Sequence, residues 1–252
     1  MTTFISWHEF KDRLKRYFLF NKLETREFFL VVLFFALILS FDDWGIEKFN
    51  LVAGFKNFFI AFCIVAVSVF LHHAVQRCAA LYFGYRPEQR IWWLGILISL
   101  ILLIFSNGKV MVFAGCYIMT HMLTSQRIGK HRYGPSIRTL GYIAMFGPLA
   151  NFLFAGILHT INLSLNSPVL TTMVGFNILF AIYNIIPIPP LDGAKMLFAS
   201  RLAYAFFFAA VAGYLALVYA LGVSILFALF VAILCGIIGW IVFYLMFERY
   251  LV

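Results

Sequence analysis

The chain has 252 residues, 64% of them hydrophobic and 12% charged, with a mean hydropathy of +0.97. A soluble domain carries about 25% charged residues, so the composition excludes one and indicates a polytopic membrane protein. The formal charge of +9 does not point to nucleic acid, because the basic residues gather in short segments between apolar runs, where they set membrane orientation.

Residues 1–21 contain ISWHEFKDRLKRYFLF, in which aromatics are interleaved at helical spacing with Lys11, Arg13, Lys15 and Arg16. This pattern predicts an amphipathic helix on the cytoplasmic membrane surface. A signal peptide would pass from a short basic region directly into an apolar core. A cytoplasmic extension with no lipid contact is the alternative. Residues 22–252 read as one membrane domain. A crossing needs about 20 apolar residues, and the runs 27–41, 56–80, 140–161, 169–187, 202–221 and 224–247 predict six transmembrane helices. Two shorter runs, 91–106 and 109–123, predict a membrane-inserted hairpin, which brings the count to as many as eight spans. The expected fold is therefore all-α.

Charge gives one consistent orientation. Lys22 and Arg26 precede the first span, whereas Asp42, Asp43 and Glu47 follow it, which places the N-terminus inside. Arg77, Arg86 and Arg90 then fall on the same side, as do the Arg127 to Arg138 cluster, Lys195, Arg201 and Arg249. The expectation is a multi-pass protein of the cell membrane with both termini cytoplasmic. Cys63, Cys78, Cys116 and Cys235 lie in or beside apolar runs without CxxC spacing, so they read as small buried hydrophobes.

Polar residues within apolar spans are costly and therefore informative. His72, His73 and Gln76 occur in VFLHHAVQR, near the cytoplasmic end of the second span. Asp192, in NIIPIPPLDGAK, is the only acidic residue between Glu88 and Glu248. Pro187, Pro189 and Pro190 cannot sustain a regular helix, so the backbone must break where Asp192 arrives. Such a break is tolerated at membrane depth where it is buried in protein or lines a water-filled cavity. Gly147 and Asn151, in FGPLANF, are four apart and share a helix face, an arrangement that also serves plain helix packing.

LHHAVQRCAALYFGY resembles the HExxH segment of the site-2 protease family of intramembrane zinc metalloproteases, including Ala80 and Gly84 beyond it. GPLAN resembles that family's GxxxN segment, and NIIPIPPLDGAK its LDG segment, in the same order and spacing. The RIWWLGILISLI run looks like the family's membrane hairpin, part of which is sheet-like. The likeness extends from about residue 22 to the C-terminus and is greatest to the compact, archaeal-type branch without PDZ or CBS domains.

The resemblance implies a metal centre and also a departure from it. In the family, two histidines of HExxH and the aspartate of LDG bind zinc, and the glutamate activates the bound water. Here His72 takes the first histidine's place and Asp192 the aspartate's. His73 stands at the general-base position, and Gln76 stands where the second histidine would be. Residues four apart share a helix face, whereas neighbours point about 100° apart, so His73 does not substitute for the missing ligand. An amide oxygen is a poor zinc donor beside imidazole or carboxylate, so a His72, Gln76 and Asp192 set is expected to hold zinc weakly or not at all. Loss of a general base would remove about 10² to 10⁴ in rate. His121 and His159 are candidates to complete a site, and His8 and His131 are weaker ones. Gly147, Asn151, Asn184, Pro187 and Gly193 match family positions along the substrate groove; capping of freed carbonyls is the other reading of the two asparagines.

Two functions are expected from this. The first is a catalytically inactive relative, a scaffold that binds a transmembrane helix or forms a subunit of a membrane complex. It needs no cofactor, and its partners are a transmembrane protein and membrane lipid. The alternative is an active intramembrane zinc metalloprotease with atypical ligands. A transporter is a distant third, because the spans lack an ionisable relay.

Overall fold

The computed structural model describes residues 5–45, 50–123, 127–128, 131–132, 134–220 and 225–249. His131 is described in its backbone only, and the calls on Glu47 and Lys130 fall outside the described residues.

Helix α1 (Trp7–Tyr17) starts where the Ser6 hydroxyl accepts the Glu9 amide, and it has no buried residue of its own. Its exposed face carries Glu9–Arg13 and Asp12–Arg16 pairs one turn apart. The other face meets the end of the next-but-one helix. Phe10 packs edge-on against Tyr82, and Arg13 donates to Leu81 O at 3.1 Å.

Helix α2 (Lys22–Leu39) opens with a capping box between Asn21 and Glu24. Lys22, Glu24, Arg26 and Glu27 occupy its first turns, so its apolar run begins only at Phe28. With four charges in 18 residues, α2 is not among the five helical segments that are long and apolar enough to cross a membrane among the described residues, which are Leu51–Tyr82, Ile137–Leu165, Pro168–Ile185, Arg201–Val218 and Phe227–Glu248. Helix α3 (Leu51–Tyr82) has 32 residues. At 1.5 Å per residue it is about 48 Å long, well over the ~30 Å hydrocarbon core. Its last turns can therefore carry polar groups beyond the lipid-facing stretch.

The predicted hairpin has two unlike arms. The first is helix α4 (Trp93–Phe105), but the second is not a helical span: residues 109–115 are mostly irregular and lead into strand β2 (Cys116–Met122). Strand β2 pairs antiparallel with β1 (Tyr85–Ile91), from Tyr85 opposite Met122 to Ile91 opposite Cys116. Period-independent apolar content cannot tell a buried strand from a short helix, and that explains the difference. Strands β3 (Arg127–Ile128) and β4 (His131–Arg132) form a second small pair.

Helices α5 (Ile137–Leu165) and α6 (Pro168–Ile185) form an antiparallel hairpin, turned at Asn166 in the left-handed region with φ 47°. A broken stretch leads to the short α7 (Asp192–Ala199), then to α8 (Arg201–Leu215), which ends in a π-turn Ala216–Ala220. Helix α9 (Ile225–Phe243) ends in a second π-turn, Tyr244–Glu248. Two cores result. One joins α2, α3 and α6 through an aromatic cluster of Phe35, Phe113, Phe176 and Phe180. The other joins α5, α6, α7, α8 and α9 through Phe152, Ile185, Met196, Phe207 and Ala232. Together these make an all-α polytopic membrane protein in which α3, α5 and the α6–α7 break converge.

Candidate functional site

The convergence places His72, Gln76 and Asp192 in one buried cluster. Helix α6 stops at Ile185, and the chain crosses Pro187, Pro189 and Pro190 before Asp192 opens α7. A Cβ on Gly193 would overlap the Ile185 carbonyl, so only glycine lets α7 start this close to the end of α6. On α5, a Cβ on Gly147 would overlap the His72 ring and lie 2.7 Å from Gln76 Cδ. These two glycines set the depth at which α3, α5 and α7 meet.

Hydrogen bonds fix the protonation pattern of the cluster. Asn177 Nδ2 donates to Met173 O and to Ser68 Oγ, both at 2.8 Å, so its Oδ1 must face Asn151. Asn151 Nδ2 donates to that oxygen at 2.8 Å, which turns Asn151 Oδ1 toward His72 Nδ1 at 2.9 Å. Nδ1 therefore carries the proton, and Nε2 is the nitrogen presented to Asp192 Oδ2 at 3.2 Å. Gln76 Nε2 approaches the same oxygen at 2.5 Å and Ala144 O at 3.3 Å, so its amide faces the carboxylate as a donor. Its oxygen is left buried without a partner among the described residues. Lys195 Nζ completes the shell, 3.4 Å from Asp192 Oδ1 and 2.7 Å from Ile118 O on β2.

His73, one residue along, is buried and turned edge-on to His72 with ring centroids 5.2 Å apart. Neither of its nitrogens has a partner among the described residues. His121 sits half-exposed on β2, 3.7 Å from Glu88, and His159 lies two turns beyond Asn151 on α5. Asn184 donates to Phe180 O on its own helix, Pro187 is exposed at the break, and Gly193 is buried under Ile185.

This donor set does not fit zinc. A catalytic zinc site takes three protein ligands of imidazole, thiolate or carboxylate type. Here His72 Nε2 and Asp192 supply two, while Gln76 presents N–H groups rather than a lone pair. Among the described residues no three His, Cys, Asp or Glu side chains are close enough to hold a metal ion, so neither His121 nor His159 completes the set.

Comparison with known proteins gives one resemblance. The chain is 27% identical over 185 residues to a Methanocaldococcus jannaschii protein named "Putative zinc metalloprotease". The match covers 71% of this chain and 86% of that protein. No family description matches, and no solved structure matches. The chain is thus distantly similar to a metalloprotease of that name.

Sequence reasoning missed four participants. Ser68 lies one turn before His72, and Lys195 lies three residues after Asp192; these offsets are a helical-face signal that was available. Asn177 shows only as a lone amide in an apolar run. Arg77 reads in sequence as a loop charge that sets topology, but it lies inside α3, 1% exposed. It pairs with Glu24 at 2.7 Å, donates to Tyr17 O, Phe18 O and Leu19 O, and stacks on Phe20. Burial alone would raise the Glu24 carboxyl, but the Arg77 guanidinium and the Asn21 and Gln89 amides hold it below the usual carboxylate range.

Proposed function

We propose that this protein is a site-2-protease-like membrane protein without a hydrolytic centre. In this reading it serves as a scaffold that binds a transmembrane helix or as a subunit of a larger membrane complex. The observation that carries it is the Gln76 amide donating to Asp192, with His72 and Lys195 taking the rest of the carboxylate. A metal-ligand position has become a polar cross-link between α3, α5 and α7. The distant likeness to a protein named as a zinc metalloprotease, and the three motifs in order, support the ancestry. The altered base and second ligand support the loss of chemistry. Lys22, Arg26 and the later basic clusters favour a cell-membrane protein with both termini cytoplasmic.

A second reading, an active intramembrane zinc metalloprotease with atypical ligands, is favoured by one detail. The Asn151 bond leaves His72 Nε2 turned to Asp192, the posture that outer hydrogen bonds impose on metal-binding histidines.

Metal analysis of the purified chain, joined to photo-crosslinking from α9 and β2 in native membranes, separates the two. The scaffold reading expects far less than one zinc per chain and a specific membrane-protein adduct. One zinc per chain, with chelator-sensitive cleavage of a single-span substrate that vanishes in Asp192→Ala, would overturn it.

A further inference from the structure

Helices α5, α8 and α9 leave a groove that the cluster around Asp192 does not use. Its inner part, about 200 Å³, is lined by Arg138, Tyr142, Met145, Ser200, Ala203 and Tyr204. It continues past Tyr142 and Ala203 into an open apolar part of about 470 Å³, walled by Phe206, Ile237 and Trp240. Close packing of α8 on α9 shapes the outer wall: a Cβ on Gly236 would lie 2.7 Å from the Phe206 ring.

The charges around it are one-sided. Arg138 stands exposed in the first turn of α5, and no acid approaches it among the described residues. The acid at this end of the bundle, Glu248, is held by Arg201 at 3.1 Å. No acidic side chain among the described residues lines either part of the groove. Tyr142 and Trp240, both partly exposed, give the aromatic border expected at a membrane–water interface. The groove thus runs from an exposed guanidinium, without an acidic partner among the described residues, into an open apolar slot.

We infer that this groove binds an anionic phospholipid. The Arg138 guanidinium takes the headgroup phosphate, and one acyl chain lies along Phe206, Ile237 and Trp240. A cation at the polar end and apolar walls below it match the two halves of such a lipid, and a guanidinium holds a phosphate in paired hydrogen bonds. The assignment is independent of the metal reading.

The test uses the full chain in phosphatidylcholine vesicles doped with a phosphatidylglycerol that carries a photoreactive acyl chain. Adducts on α8 and α9 are compared with those at the hollow of Phe59, Cys63 and Met173, which has no cation among its described lining residues and serves as an internal reference. Groove labelling should fall about fivefold relative to that reference in Arg138→Ala, the factor equivalent to ~1 kcal/mol for one cation at an anionic surface. It should return in Arg138→Lys and fall in Ala203→Phe, which fills the slot and keeps the charge. Equal labelling by a photoreactive phosphatidylcholine, indifference to Arg138→Ala, or a protein crosslinked from position 142 in place of lipid would each overturn the assignment.

Discussion

Replacing Asp192 by alanine distinguishes a polar cross-link from a metal centre, because the two demand opposite responses in zinc-free detergent. The carboxylate accepts from Gln76 at 2.5 Å and lies 3.2 Å from His72 Nε2, all three residues being at most 3% exposed. Interhelical hydrogen bonds in membrane proteins average ~0.6 kcal/mol and reach ~1.7. The Gln76 bond is buried and charge-assisted, so it should contribute roughly 2 kcal/mol. The 3.4 Å contact of the partly exposed Lys195 adds little to that. Asp192→Ala should therefore shift the folding equilibrium by about 30-fold, measured by unfolding in mixed micelles with rising dodecyl sulfate. A double-mutant cycle with Gln76→Leu should show coupling of about 1 kcal/mol. A vacant metal site behaves otherwise, since removing one ligand carboxylate relieves an unsatisfied charge. An Asp192→Ala protein at least as stable as the parent would refute the cross-link.

Gln76→His should create the third strong donor beside His72 and Asp192 and confer zinc-dependent stabilisation, about 2.7 kcal/mol at a hundredfold excess over Kd; the parent chain should show no such shift in the same melt. Gly193→Ala should destabilise strongly because its Cβ meets the backbone carbonyl of Ile185, and Gly147→Ala should cost about 1–3 kcal/mol by displacing the His72 ring; near-parental unfolding of both variants would contradict the close approach of α3, α5 and α7. The Glu24–Arg77 pair makes stability depend on acid. Because the folded carboxyl is held below its ordinary range, its contribution is complete above that range and is lost as pH falls through the lowered value. Glu24→Gln should lower stability at neutral pH by up to about 3 kcal/mol and flatten the acid limb, and an unchanged acid limb would count against the pair.

Much of the architecture was legible because lipid imposes a strong rule: a crossing needs a long apolar helix. The runs around 56–80, 140–161, 169–187, 202–221 and 224–247 each correspond to a helix long enough to cross. The run 109–123 was misread, since its apolar content suits a short helix as well as a strand, and pairing with Tyr85–Ile91 decides between them. At the candidate site, the residue types and spacing of His72, Gln76 and Asp192 were visible. Arg77 was misplaced because charge in sequence says nothing about a partner 53 positions away.

By itself, then, the sequence determined that the chain lives in a membrane and that its helices break at Pro187 to Pro190. Only the tertiary structure decided how His72, Gln76 and Asp192 bond to one another. Hydrogen-bond direction depends on every neighbour at once. The chain from Met173 O through Asn177 and Asn151 orients His72, and the Ala144 carbonyl orients Gln76 as a donor. These partners come from α3, α5 and α6, brought within 3.5 Å by packing that no local stretch encodes.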